Sequence, residues 1–208
     1  MRNVTRTLAI KLSKKEYKDL AKAWGLLSLA FAILFSSALD LTFLVNLGIS
    51  ALTVGLGFVA HELAHKMVAI RYGCEAEFKA NNTMLYAAVL MSLLGLIIAA
   101  PGAVRIRGAL SKKQHGRIAA AGPAASLAVA LLFLPLYLFG SKVGLYGAGI
   151  NSLLAAFNLL PVPGFDGRQV LKWNKTVYGV LLVAAILLAM FTIYLRQNLI
   201  NKVHFPLY

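Results

Sequence analysis

The sequence is poor in cysteine and in acidic residues. Its single cysteine, Cys74, excludes an intrachain disulfide and leaves any bound zinc to nitrogen and oxygen ligands. Seven Asp and Glu stand against 21 Lys and Arg, which gives a formal net charge of +14. Such an excess can indicate nucleic-acid binding, but most of these basic residues lie in blocks between apolar runs. There they orient membrane helices and contact anionic lipid, so we expect membrane lipid and no nucleic acid as a partner.

Apolar residues are in large excess. They make up 60% of the chain, and the mean hydropathy is +0.75. Uncharged runs near the ~20 residues that a membrane-crossing helix needs cover residues 24–39, 41–60, 84–104, 118–141, 143–165 and 176–195. The pattern predicts an all-α, multi-pass protein of the cell membrane with five to six transmembrane helices. A cleaved secretory signal is the alternative for the first run, but the long charged stretch before it favours a signal anchor.

The basic residues predict which helix ends face the cytoplasm. Seven Lys and Arg precede residue 24 and none lies at the turn around Asp40, so we expect a cytoplasmic N-terminal arm, residues 1–23. Five more follow between residues 105 and 117, and they would lie outside if residues 84–100 crossed the membrane. We therefore expect that segment to dip in and return, which leaves five spans. Six spans remain the alternative, because seventeen apolar residues can cross a slightly thinned bilayer.

Strand-like alternation occurs only in short stretches on the expected cytoplasmic side. They are residues 5–11, 75–79 and 104–107. These stretches predict a small cytoplasmic-side β-sheet or hairpin. No repeat, low-complexity tract or long linker divides the rest, so we expect one membrane domain over residues 24–208 with its core at 41–172.

The second apolar run ends in the sequence H-E-L-A-H. In a helix, residues four apart lie one above the other, so His61 and His65 present their imidazoles to one point while Glu62 projects beside them. Two neutral imidazoles can hold zinc, and an adjacent carboxylate can take a proton from the bound water. The alternative is a helix end with two interfacial histidines and a solvated glutamate.

The depth of this motif favours the metal site. Arg71 is ten residues, or about 15 Å of helix, beyond His61, and Lys66 is the one basic residue between them that is long enough to reach the surface. Glu62 is thus expected below the membrane surface, where an ionisable group is costly without a partner. A metal and its bound water would supply that partner.

Asp166 ends another apolar run, in the sequence N-L-L-P-V-P-G-F-D-G from residue 158 to 167. Two prolines and two glycines break the helix there, and broken backbone at membrane depth lines a cavity or is buried in protein. With five spans, Asp166 reaches the same side of the membrane as His61 and His65; with six, it lies opposite. The distribution of Lys and Arg and the need to bring Asp166 to the two histidines therefore both favour five spans.

With these motifs, the sequence resembles the site-2 protease family, the intramembrane zinc metalloproteases. H-E-L-A-H matches the family's H-E-x-x-H, and the segment ending in Asp166-Gly167 matches its second motif, in which a carboxylate before Gly is the third zinc ligand. A-G-P-A-A-S at residues 121–126 is similar to its G-P-x-x-N. Ser126 stands where Asn is common, a difference that concerns a side-chain amide and is expected not to touch the metal. The likeness covers residues 41–172.

The resemblance implies a role for each site residue. His61, His65 and Asp166 would bind one Zn²⁺ per chain, and Glu62 would act as general base and then as proton donor. Asn158 would donate a hydrogen bond to the substrate carbonyl or the oxyanion; capping or bracing the broken helix is its alternative role.

The implied substrate is a transmembrane protein whose helix must unwind locally before cleavage. We expect residues 74–107 to supply an edge strand that holds the unwound segment and to gate its entry; a surface loop with a membrane-resting helix is the alternative.

Three rival functions use the same motifs. A membrane zinc peptidase that acts on soluble or misfolded chains would take a distal Glu as third ligand, and no Glu follows Glu77. A transporter or metal-storage protein would not need Glu62, whose presence favours hydrolysis. A pseudoprotease that binds transmembrane helices without cutting them is the third rival. The intact H-E-L-A-H motif is the one feature of the sequence that argues against it. No regulatory or inserted peptide-binding domain is evident, so we expect a near-minimal membrane core.

Overall fold

The structure, a computed structural model, describes residues 11–36, 38–97 and 101–204. Within these ranges the chain forms eight α-helices and one two-stranded sheet. In chain order they are α1 (Lys14–Leu34), α2 (Leu41–Ser50), α3 (Leu56–Arg71), β1 (Glu75–Ala80), α4 (Asn82–Ser92), β2 (Gly102–Arg107), α5 (Lys112–Leu138), α6 (Lys142–Asn158), α7 (Asp166–Trp173) and α8 (Lys175–His204).

Helices α2 and α3 form one continuous rod. The π-helical segment Ala51–Gly55 joins them, and its wider turn sets the rotation of α3 about the rod axis. Asn151 on α6 holds this segment, because its side-chain amide donates to the backbone oxygens of Thr53 (3.1 Å) and Gly147 (2.8 Å). A side chain at Gly57 would overlap Asn151, so glycine lets α6 approach the rod closely.

Three helices in the described part of the chain are long and apolar enough to cross a bilayer. They are Leu41–Arg71, Lys112–Tyr137 and Lys175–Gln197. The other two expected spans fall short by this measure. In α1 the charged residues occupy the first three turns and leave 23–34 as the uncharged part, and α6 has 17 residues.

The segment expected to dip and return begins and ends at one place. Strands β1 and β2 pair antiparallel from Glu75↔Arg107 to Ala80↔Gly102, and the Asn81 amide donates to the Pro101 oxygen at 2.9 Å. Between them, α4 has 11 residues, or about 16 Å of helix, against a hydrocarbon core of about 30 Å. The chain therefore leaves and returns on one side of the fold.

Two of the three predicted strands are confirmed, each slightly longer than predicted. The third, residues 5–11, lies outside the described residues apart from Lys11. The prediction that Lys66 reaches the surface is wrong: its side chain is 2% exposed and pairs with Glu16, which is 1% exposed. Helix α1 supplies a carboxylate inside the protein, so the ammonium group has a buried partner and no need of solvent.

Candidate metal centre

The structure brings His61, His65 and Asp166 together. The Nε2 atoms of the two imidazoles are 3.1 Å apart, and each is 3.2 Å from Oδ2 of Asp166. Ligand atoms around a tetrahedral zinc ion, with bonds of about 2.0–2.1 Å, lie about 3.3 Å from one another. The three donor atoms thus have the spacing and the chemistry that zinc requires.

Hydrogen bonds on the far side of each ring fix the donor atoms. His65 Nδ1 is 2.8 Å from the backbone oxygen of Ile118, which only accepts, so Nδ1 carries the proton and Nε2 of the neutral ring has a free lone pair. His61 Nδ1 is 2.9 Å from Ser126 Oγ. Two imidazole lone pairs and a carboxylate oxygen would repel one another without a positive charge between them. The donor set therefore fits a metal cation.

Ser126 contacts a metal donor without being one. It is not among the three converging ligands, but its hydroxyl oxygen lies 2.9 Å from Nδ1 of His61. The shorter serine side chain places oxygen, rather than an amide, against the imidazole.

Helix α5 makes room for the imidazoles at Gly122. A Cβ atom there would overlap Nε2 of both His61 and His65. Gly122 is therefore a packing requirement of the centre.

The break between α6 and α7 carries Asp166 into place. Gly164 has a φ of +93°, which favours glycine, and Asp166 is the first residue of α7. A Cβ atom at Gly167 would overlap the Leu159 backbone oxygen, so this glycine lets α7 lie against the end of α6.

Burial alone would raise the pKa of the Asp166 carboxyl, but whenever His65 is protonated its charge, with hydrogen bonds from both histidines, lowers that pKa to about 2. The residue is therefore present as the carboxylate that a metal needs.

Glu62 lies beside the triad without belonging to it. Its side chain is 7% exposed, and its Oε2 atom is buried with no hydrogen-bond partner in the described part of the chain. The Val104 amide on β2 faces the same carboxylate. A buried carboxylate with a free oxygen next to a metal site is suited to accept a proton from a bound water.

A cavity of about 190 Å³ opens onto these groups. Asn158, at the end of α6, lines it, while its side-chain amide donates to Leu154 one turn back at 2.9 Å. This bond braces the end of α6.

The cavity also has polar groups that sequence reasoning missed, namely His115 and Gln169. His115 is exposed at the edge of the cavity that it lines. Helical spacing could have indicated His115. It lies seven residues before Gly122, and Gly122 lies four before Ser126, so all three are on one face of α5.

Fold and site together define a class of protein: a largely helical chain with apolar helices of membrane-crossing length and a zinc-peptidase constellation of two histidines, a glutamate and an aspartate.

Three relatives have names that begin "Putative zinc metalloprotease": MJ0611 of Methanocaldococcus jannaschii, Rip3 of Mycobacterium tuberculosis and sll0528 of Synechocystis sp.. No family model and no solved structure matches the chain.

The chain is 37% identical to MJ0611 over 178 residues, which cover 82% of this chain and 90% of that protein. It is 35% identical to Rip3 over 129 residues and 34% identical to sll0528 over 141 residues. The last two alignments span 56% and 62% of this chain but only 29% and 32% of those longer proteins. The chain belongs to the site-2 protease family of zinc metalloproteases.

Proposed function

We propose that the protein is a zinc-dependent intramembrane endopeptidase that hydrolyses a peptide bond within or near a transmembrane segment of another membrane protein. The observation that carries this proposal is the buried, partly unpaired Glu62 carboxylate beside three converging metal donors, on a helix of membrane-crossing length. His61, His65 and Asp166 would hold the ion, which supplies Lewis acidity and an activated water when bound. Glu62 would accept a proton at its unpaired carboxylate oxygen and return it to the leaving amine.

The burial of the site supports an unwound substrate. The backbone of an α-helix lies inside a layer of side chains about 10–12 Å across, whereas His61, Glu62 and His65 are buried at the cavity. A substrate helix must open locally to bring one peptide bond to Glu62. Asn158 retains one amide hydrogen beyond its bond to Leu154, and we assign that hydrogen to the substrate carbonyl or the oxyanion.

The open edge of the β1–β2 hairpin supports binding by strand addition. The outer edge of β1 is closed, because the amides of Phe78 and Ala80 donate to Glu16 (3.0 Å) and Asp19 (3.2 Å) on α1. Since Phe78 pairs with Val104 and its amide points away from β2, the Val104 amide points out of the opposite edge. That edge lines the cavity, so it can pair with an extended substrate backbone there.

We further propose five spans in the cell membrane, a cytoplasmic N-terminus and a site near the cytoplasmic side. The support is the meeting of three chain segments at one end of the fold. Arg117 near the start of α5 donates to Tyr72 after α3 at 3.3 Å, and its guanidinium lies 6.0 Å from the ring of Trp173 at the end of α7. With residues 81–101 returning to their start, α5 begins on the side where α3 ends.

The decisive experiment incubates purified protein with a transmembrane peptide that carries a helix-destabilising segment. We expect cleavage by the native protein and none after chelation or in Glu62→Gln, which should retain zinc. Asp166→Ala should instead lose zinc. Cleavage by Glu62→Gln at the native rate would rule out the proposed base, and cleavage of an unfolded soluble protein but not of the peptide would rule out the proposed substrate class.

A further inference from the structure

We propose that the buried ion pair of Glu16 and Lys66 is a positioning device that sets the distance between the open edge of β2 and Glu62. The inference rests on the proposed function, because it takes that edge as the place where the substrate strand binds. Neither residue belongs to the metal centre, and both are almost fully buried. The pair therefore has a purpose that the hydrolytic residues alone do not explain.

Three successive turns of α3 hold the hairpin. Phe58, Glu62 and Lys66 are spaced by four residues and so project from one face of the helix. The ring of Phe58 packs edge-on against Phe78 of β1, with centroids 5.6 Å apart, Glu62 faces the Val104 amide of β2, and Lys66 pairs with Glu16 of α1. The catalytic carboxylate thus lies between an apolar contact and an ionic contact.

Glu16 joins three elements through one carboxylate. Its Oε2 atom accepts from Lys66 on α3, and its Oε1 atom accepts from the Phe78 amide on β1 at 3.0 Å. Lys66 also donates to the Lys11 oxygen at 3.1 Å, and the amide of Glu16 is bonded to Ser13 at 3.0 Å. An apolar contact such as Phe58–Phe78 allows sliding, whereas two hydrogen bonds to one rigid carboxylate fix the position of β1 along α3.

A contribution to stability does not by itself explain a buried ion pair of this kind. Replacing both partners of a buried ion pair by neutral groups is often neutral for stability, while removing one partner leaves an unpaired buried charge. The double variant Glu16→Gln/Lys66→Met should therefore fold, because its amide oxygen can still accept from Phe78. The double variant lacks the ionic bond that joins α1 to α3. It therefore separates the effect of the pair on hairpin position from its effect on stability.

The test compares this double variant with the native protein and with Lys18→Met, which removes an exposed charge from the same helix. We expect the double variant to bind one zinc and to show a kcat for the transmembrane peptide lowered by about tenfold, with KM changed less than about twofold, because the bound peptide bond is misplaced relative to Glu62. Lys18→Met should match the native protein. A native kcat in the double variant would overturn the proposal, as would a loss of zinc.

A second measurement needs no activity. Spin labels at Lys79→Cys on β1 and Lys113→Cys on α5, in a Cys74→Ser background, report the position of the hairpin. We expect one narrow distance distribution in the otherwise native protein and a broad or shifted one in the double variant; an unchanged distribution would overturn the positioning role. If the native protein cuts no transmembrane peptide, the proposed function fails, and the spin labels still decide whether the pair positions the hairpin.

Discussion

At the scale of single residues, Gly122 shows how closely the metal centre is packed. Any side chain there must displace the imidazole atoms that would bind zinc. We expect Gly122→Ala to weaken zinc binding on the order of 100-fold, measured by competition with a chelator of known affinity. Gly179→Ala is the matched control, since a Cβ atom there has open space, and it should bind zinc normally. Equal zinc affinity in both variants would contradict the proposed contact.

Ser126 acts through His61 and gives a milder prediction. Ser126→Ala removes the hydrogen bond that orients the His61 ring, so zinc affinity should fall by about 10- to 100-fold while the fold persists. Ser152→Ala is the control, because that buried hydroxyl bonds only to its own helix at Gly149. Zinc retention by Ser126→Ala equal to that of the control would show that the ring needs no such support.

The sequence could predict the residues whose geometry is local. The spacing of His61 and His65 follows from the helical repeat, and the proline-rich break before Asp166 marked a chain reversal. The pairing of Lys66 with Glu16 could not be predicted, because the two residues are 50 positions apart and nothing local indicates that α1 packs there. For the same reason Lys66 was wrongly expected at the surface.

At the scale of elements, the hairpin edge gives a backbone prediction. Ile106→Pro removes an amide hydrogen at the open edge of β2 without touching the Val104 amide that faces Glu62. Ile106 lies two residues after Val104, so its amide also points away from β1, and proline is tolerated there because no β1 partner is lost. We expect kcat/KM for the transmembrane peptide to fall by about tenfold or more, with normal zinc content.

Ile106→Ala is the control for the hairpin prediction, since it keeps the amide and trims the side chain. A similar loss in both variants would indicate that the side chain of Ile106, and not its backbone, matters. Native kinetics in Ile106→Pro would argue against strand addition.

The elements were predicted unevenly. Both described strands were predicted because alternation of polar and apolar residues is a local signal. The π-helical segment before α3 was not predicted, because one extra residue per turn leaves no mark in an unbroken apolar run. The segment is held by contacts between residues far apart in the sequence, such as the bond from Asn151 to Thr53.

At the scale of the whole molecule, the five-span arrangement predicts which residues face each side. In a Cys74→Ser background, a membrane-impermeant thiol reagent applied to intact cells should label Lys142→Cys and leave Lys113→Cys unlabelled. After permeabilisation both should react. Labelling of Lys113→Cys in intact cells would support six spans and would separate the start of α5 from the cytoplasmic side.

The hydrogen bond between Asn81 and Pro101 closes the base of the excursion between β1 and β2, and the buried Leu85 and Ala88 pack one face of α4 against the rest of the protein. The opposite face of α4 exposes Tyr86 and Leu90, so these side chains can change during evolution, or by exchange with the corresponding residues of a relative, without moving the strands on either side. Substrate preference could thus diverge through this exposed face while the hydrolytic residues stay constant.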